Sequence, residues 1–156
     1  MIYGAYADLK IDEKMAVDAA LDAREKSQVP YSKVRVGSAV LTKEGKIFAG
    51  SKLENSSYGV SYCSEAASIL SANSNGFKNY KSLAIVIDIN DFPEISEGYK
   101  VTETIPCGEC RQVISDAAQN QEGDIEIIIA TPKKDRVCVS TIDELLKNAF
   151  GPKNLQ

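Results

Sequence analysis

Cys63, Cys107, Cys110 and Glu65 are the residues whose types and spacing point to chemistry. Cys107-Gly108-Glu109-Cys110 is a C-x-x-C, the tightest spacing that lets two sulfurs converge on one ion. A redox dithiol has the same spacing, so the pair alone leaves both readings open. Cys63-Ser64-Glu65 adds a third thiolate, with a carboxylate two residues beyond it. Three protein ligands leave the fourth tetrahedral position of a zinc ion for water. Glu65 can then face that water as a proton carrier instead of binding the ion. Pro106 fixes the approach to Cys107, and Gly108 lets the backbone turn beneath a metal.

Histidine is absent from all 156 residues, which removes Ser-His-Asp triads, Cys-His dyads and every imidazole proton shuttle. Acid–base work near neutral pH therefore falls to a carboxylate, a thiol, a lysine, a tyrosine or a metal-bound water. A net charge of −4 offers no electrostatic footprint for a nucleic-acid polymer or an anionic membrane, so a small molecule is the expected partner. The longest apolar runs, 83–87 and 125–130, fall far short of the roughly 20 residues of a membrane span. Met1-Ile2-Tyr3-Gly4 has neither a basic region nor a long apolar core, so no signal peptide is expected. Four cysteines in such a chain read as thiols or metal ligands in the cytoplasm. With 44% apolar and 26% charged residues, 1–156 reads as one folded domain.

The elements that must position these groups follow from periodicity. Asp12 is a fair helix N-cap, and Met15, Ala16, Ala19, Ala20 and Ala23 recur at helical spacing until Val29-Pro30. Two strands, 34–42 and 46–53, are joined by the turn Lys43-Glu44-Gly45. A polar loop over 54–62 precedes a helix that starts at Ser64 and ends within 73–76. The apolar run 83–89 is a buried strand, and 91–104 is a long loop of the functional or disordered kind. A helix over 108–119, strands at 125–131 and 137–139, and a final helix over 142–150 complete the chain. The order predicts a three-layer α/β domain around a central mixed sheet. All three cysteines then stand at helix starts, where free N–H groups and the dipole favour thiolate. Cys138, between Val137 and Val139, reads as a buried structural thiol, and Glu109 as a solvent-facing helix residue.

Nearly the whole chain resembles the cytidine deaminases of the small, homotetrameric, three-cysteine kind. The resemblance runs in order through Val29-Pro30-Tyr31-Ser32, Val36-Gly37, Gly45-Lys46-Ile47-Phe48 and Glu54-Asn55-Ser56-Ser57-Tyr58-Gly59. It continues through Cys63-Ser64-Glu65, Pro106-Cys107-Gly108-Glu109-Cys110-Arg111-Gln112 and Ala149-Phe150-Gly151-Pro152. It implies a three-layer α/β/α fold and one zinc per chain, held by Cys63, Cys107 and Cys110. It also implies hydrolysis of cytidine or deoxycytidine to the uracil nucleoside and ammonia. Glu65 would take the proton of water, deliver it to ring N3 and help protonate the departing amine. Backbone groups near Ser64, Ile105 and Cys107 would hold the base edge, and Glu54 would accept from the ribose 3′-hydroxyl. Phe150 would reach a neighbouring subunit's site and stack on the base, making the homotetramer part of the active site. Tyr31 and Tyr58 match residues at the family's subunit contacts, though simple packing explains them equally well.

Three positions depart from the family pattern. Lys52 replaces an asparagine that shares the ribose hydroxyl; lysine has three donors and no acceptor. It suits an anionic or altered sugar, or else points to solvent or to Glu54. Val34 replaces a phenylalanine beside the sugar and base, and Arg35 a proline, which predicts a wider pocket unless Val34 is ordinary strand alternation. Ala66 replaces an arginine that offsets thiolate charge. Three thiolates against a divalent ion leave a net −1, offset in part by helix N-termini and Arg111. Blasticidin S deaminases resemble this chain in lacking that arginine but do not resemble it at Glu54. The alternatives are thus a deaminase of a modified cytosine nucleoside or nucleotide, and a non-catalytic zinc or redox protein, which has no use for Glu65.

Overall fold

A computed structural model describes residues 2–87 and 106–155. The expected loop over 91–104, Ile105 and the end of the predicted strand at 88–89 lie outside the described residues. Six strands form one sheet: β1 (Ile2–Gly4), β2 (Val36–Thr42), β3 (Ile47–Ser51), β4 (Tyr80–Ile87), β5 (Glu126–Ala130) and β6 (Val137–Thr141). Their order is β1-β6-β5-β4-β2-β3. Only β4 and β5 pair in parallel, so the sheet is mixed. The helices are α1 (Ile11–Glu25), α2 (Ser64–Ser74), α3 (Gly108–Gln119) and the single turn α4 (Ile142–Leu145).

Strand alternation sorts the core into two layers. Ala39, Leu41, Ala84, Val86 and Ile128 pack with Ala16, Val17 and Ala20 of α1. Val40, Leu83, Ile85, Ile127 and Ile129 pack on the opposite face with Ala72 of α2, Ile114 of α3 and Ile142 of α4. Every residue of β2 is buried because it is covered on both faces. The result is the α/β/α layering that the interleaved pattern predicts.

Three local differences have physical causes. The first helix begins at Ile11, with Lys10 as N-cap and its amide donating to the Glu13 carboxylate at 2.9 Å. Asp12 lies inside the first turn, accepts from the Glu13 amide at 3.0 Å and pairs with Lys81 across the fold. The last helix stops at Leu145 and does not run to 150, and Asn148 turns the chain at φ 55°. β1 was not predicted, since three residues are too few to show a period and their pairing with β6 is non-local.

Two glycines let the helices lie directly on strand backbone. A Cβ at Gly37 would meet Ala20 O and Arg24 N of α1 at 2.1 Å. One at Gly50 would meet Ser68 N of α2 at 2.4 Å and Ser64 O at 2.6 Å. Gly50→Ala is therefore expected to destabilise the fold by about 1–3 kcal/mol in denaturant titration, the usual cost of overpacking. Gly59→Ala, with open space around its Cβ, is the control and should be close to neutral. Equal midpoints for the two variants would contradict the close approach of α2.

Candidate metal centre and active site

Two helix starts bring the thiols together. Cys63 is the N-cap of α2, and Cys107 is the N-cap of α3, both in extended backbone. Cys110 lies within the first turn of α3, buried, and its amide donates to Cys107 Sγ at 3.5 Å. The three Sγ atoms all lie within 4.8 Å of one another, the only such donor group among the described residues. Tetrahedral zinc with Zn–S bonds near 2.3 Å needs sulfurs about 3.8 Å apart, so this donor set fits zinc with small side-chain adjustment. Among themselves the thiols share protons unequally. A hydrogen bond from Cys110 lowers Cys63 to about 7, and the same bond raises Cys110. A cation that needs thiolates displaces that shared proton.

Glu65 is the second residue of α2 and only 6% exposed. Burial raises its carboxyl above the ordinary carboxylate range, opposed in part by the Ser64 hydroxyl, which donates to Oε2 at 3.0 Å. Ser64 Oγ in turn lies 2.7 Å from Ser38 Oγ on β2. Sequence reasoning missed Ser38. Glu65, Cys63, Cys107, Ser64, Val34 and Lys52 line one cavity of about 190 Å³. Val34 is buried just before β2, in a turn where its amide donates to Ser32 Oγ, so it lies outside the strand yet faces the cavity.

Glu54 occupies an adjoining cleft with Tyr31, Ser32, Tyr58 and Lys52. Its carboxylate accepts from the Tyr31 amide at 3.0 Å, the Ser32 amide at 3.1 Å and the Ser32 hydroxyl, and pairs with Lys52 Nζ at 3.1 Å. Lys52 Nζ also donates to Ser32 Oγ at 3.2 Å and to the Val34 carbonyl at 3.4 Å. Of the alternatives for Lys52, the structure shows the one directed at Glu54, and its three donors all meet protein acceptors. Burial would raise Glu54, but the Ser32 hydrogen bonds, Lys52 and the Tyr31 amide outweigh it and hold the carboxyl at about 2.

A depressed folded pKa contributes stability above the unfolded value, which is lost as pH falls through the folded one. Part of the acid destabilisation between pH 4.5 and about 2 therefore belongs to Glu54. Glu54→Gln should flatten the fall in urea midpoint across that window, and an unchanged slope would contradict the network.

The remaining candidates are placed as follows. Phe150 is 59% exposed and not among the residues of the Glu65 cavity, and its carbonyl accepts from Gln112 Nε2 at 2.9 Å. Arg111 donates to the carbonyls of Pro106 at 2.7 Å and Leu145 at 3.3 Å, bracing the approach to Cys107. Arg35 pairs with Glu25. Tyr31 and Tyr58 meet edge to face at 6.0 Å, both exposed. Glu109 is exposed, and Cys138 is a buried free thiol. Among the described residues no helix is long and apolar enough to cross a membrane.

Three thiols at two helix starts, two of them lining one cavity with a buried carboxylate, define an α/β/α protein with a site for one thiolate-bound metal ion beside a proton-carrying group. The family model for the cytidine and deoxycytidylate deaminase zinc-binding region matches residues 10–121. A cytidine deaminase of Sporosarcina psychrophila is 34% identical over 145 residues, covering 93% of this chain and 96% of the relative. The crystal structure of cytidine deaminase from Burkholderia pseudomallei superimposes with a TM-score of 0.71 at 33% identity, covering 87% of this chain and 97% of the other. A blasticidin-S deaminase of Bacillus cereus is 32% identical over 127 residues, covering 80% of this chain and 84% of the relative. The chain belongs to the cytidine and deoxycytidylate deaminase family, and its cofactor is zinc.

Proposed function

We propose that this chain hydrolyses the 4-amino group of cytidine and deoxycytidine, yielding the uracil nucleoside and ammonia. The observation that carries the reading is the buried carboxylate of Glu65 lining the same cavity as Cys63 and Cys107. A structural zinc or a redox dithiol has no use for a carboxylate held there at the cost of its own desolvation. Cys63, Cys107 and Cys110 hold the zinc, which when bound makes water acidic enough to supply hydroxide near neutral pH.

The chain's own groups do the rest. Glu65 takes the proton of water and passes it to ring N3 as the C4–O bond forms. It then takes the second proton from the added oxygen and gives it to the amine as the C4=O bond forms and the C4–N bond breaks, so ammonia leaves and the carboxylate is restored. Backbone groups near Ser64 and Cys107 hold the base edge, and Val34 packs beside the sugar. A sugar hydroxyl that reaches Glu54 must displace one of the donors already there, and Lys52 has no donor left over for an anionic sugar. We read the protein as a homotetramer in which exposed Phe150 stacks on the base in a neighbouring copy. Tyr31, Tyr58, Val60 and Tyr62 form further exposed apolar surface for such contacts. We also read residues 1–156 as one domain, in the cytoplasm, where cysteines persist without disulfides as zinc ligands or thiols.

A second reading, deamination of a modified cytosine nucleoside, has support from the similarity to blasticidin-S deaminase and from Ala66. The test is ultraviolet loss of the 4-amino chromophore for cytidine, deoxycytidine and blasticidin S side by side. Conversion of the first two supports the main reading. Conversion of blasticidin S alone supports the second, and inertness toward all three, with zinc bound, overturns both.

A further inference from the structure

We infer that Ser38 and Ser64 form a buried hydroxyl pair that positions the Glu65 carboxylate; the inference rests on Glu65 being the proton carrier. Ser38 lies on β2, and both Ser38 and Ser64 are wholly inaccessible to solvent. Their oxygens are 2.7 Å apart, and Ser64 Oγ is 3.0 Å from Glu65 Oε2. A hydroxyl has one proton to give. When Glu65 is ionised, Ser64 gives its proton to Oε2, and the proton between the serines then comes from Ser38. The chain of donors runs Ser38 to Ser64 to Glu65.

The fold builds this arrangement deliberately far from local sequence. Ser38 pairs with Gly50 across the β2–β3 hairpin. The bare Gly50 backbone lets the first turn of α2 sit against the sheet, which brings Ser64 within reach of Ser38. The Ser68 hydroxyl donates to the Glu65 carbonyl at 2.8 Å, tying down the same residue from the helix side. Oε2 is thereby held by a hydroxyl that is itself held from the sheet. Ser38 and Ser64 are positioning residues and touch no reacting atom.

The test compares Ser64→Ala, Ser38→Ala, the double variant, Ser64→Thr and Glu65→Gln, each loaded with zinc. Ser64→Ala is expected to lower kcat by about 10–100-fold, the usual cost of losing a partner that orients a functional group, with KM and zinc content unchanged. Adding Ser38→Ala to Ser64→Ala should cost no further activity and should recover thermal stability, because it removes the orphaned hydroxyl. Ser64→Thr, which keeps the hydroxyl, should restore most of kcat. If Ser64→Ala keeps full kcat while Glu65→Gln is inactive, the pair has no positioning role and this inference fails alone. If Glu65→Gln is active, the underlying reading of Glu65 fails first.

Discussion

Glu65→Gln is expected to keep one zinc per chain and the native fold while lowering kcat by at least about 10²–10⁴-fold, the range that a positioned acid–base group contributes. Glutamine has the shape of glutamate and can still accept the Ser64 hydroxyl through its amide oxygen. It cannot take a proton from water or hand one to ring nitrogen or amine. A neutral amide is also easier to bury than a carboxylate, and this position is only 6% exposed. The thermal midpoint should therefore hold or rise as activity disappears. Turnover measured beside zinc content and a melting curve separates the outcomes. Near-normal turnover with zinc in place would remove Glu65 from the mechanism.

Cys110→Ser should abolish activity by a different route, through the metal. Cys110 is 1% exposed at the base of the cluster, and its sulfur is one of only three donors. A serine hydroxyl is a hard oxygen that stays protonated near neutral pH, where zinc in this site is held by thiolates. Zinc affinity should fall by more than the roughly 10–100-fold typical of an outer-shell change. The stabilisation that zinc confers by mass action should shrink with it. In the parent protein, zinc binding releases protons from the thiols, so affinity should weaken as pH falls, and more steeply below the Cys63 value of about 7, where a further proton must be displaced. Chelator competition across that pH range checks both statements. A Cys110→Ser protein that retains zinc at parental affinity would contradict the assigned ligand set.

The cysteines and Glu65 were legible in the sequence because their chemistry is local: one C-x-x-C, one Cys-Ser-Glu, each at the start of a helix whose period is plain. The helix over 108–119 agrees with the structure at both ends, its start set by Cys107 as N-cap. What sequence could not show depends on distant juxtaposition. Ser38 and Ser64 are separated by 26 residues, and only the register of β2 against Gly50 places them together. Lys52 leaves a sugar anion, solvent and Glu54 all open until Ser32, Glu54 and the Val34 carbonyl are seen to surround its ammonium. Val34 reads either as the wall of a wider pocket or as strand alternation; Lys33 at φ 62° and the Ser32 hydroxyl on the Val34 amide break the ladder before β2 begins, and Val34 lines the cavity. Ser32, the partner shared by Glu54, Lys52 and Val34, is the kind of small polar residue for which sequence gives no direction.

Stripping the protein with a chelator and titrating zinc back, while following cytidine absorbance and ammonia release, tests the central claim most directly. The stripped protein should show no turnover. Activity should then rise in proportion to bound zinc and level off at one ion per chain, with one ammonia released per cytidine lost. Turnover without zinc, or a fully loaded protein that releases no ammonia from any cytosine nucleoside offered, would contradict it.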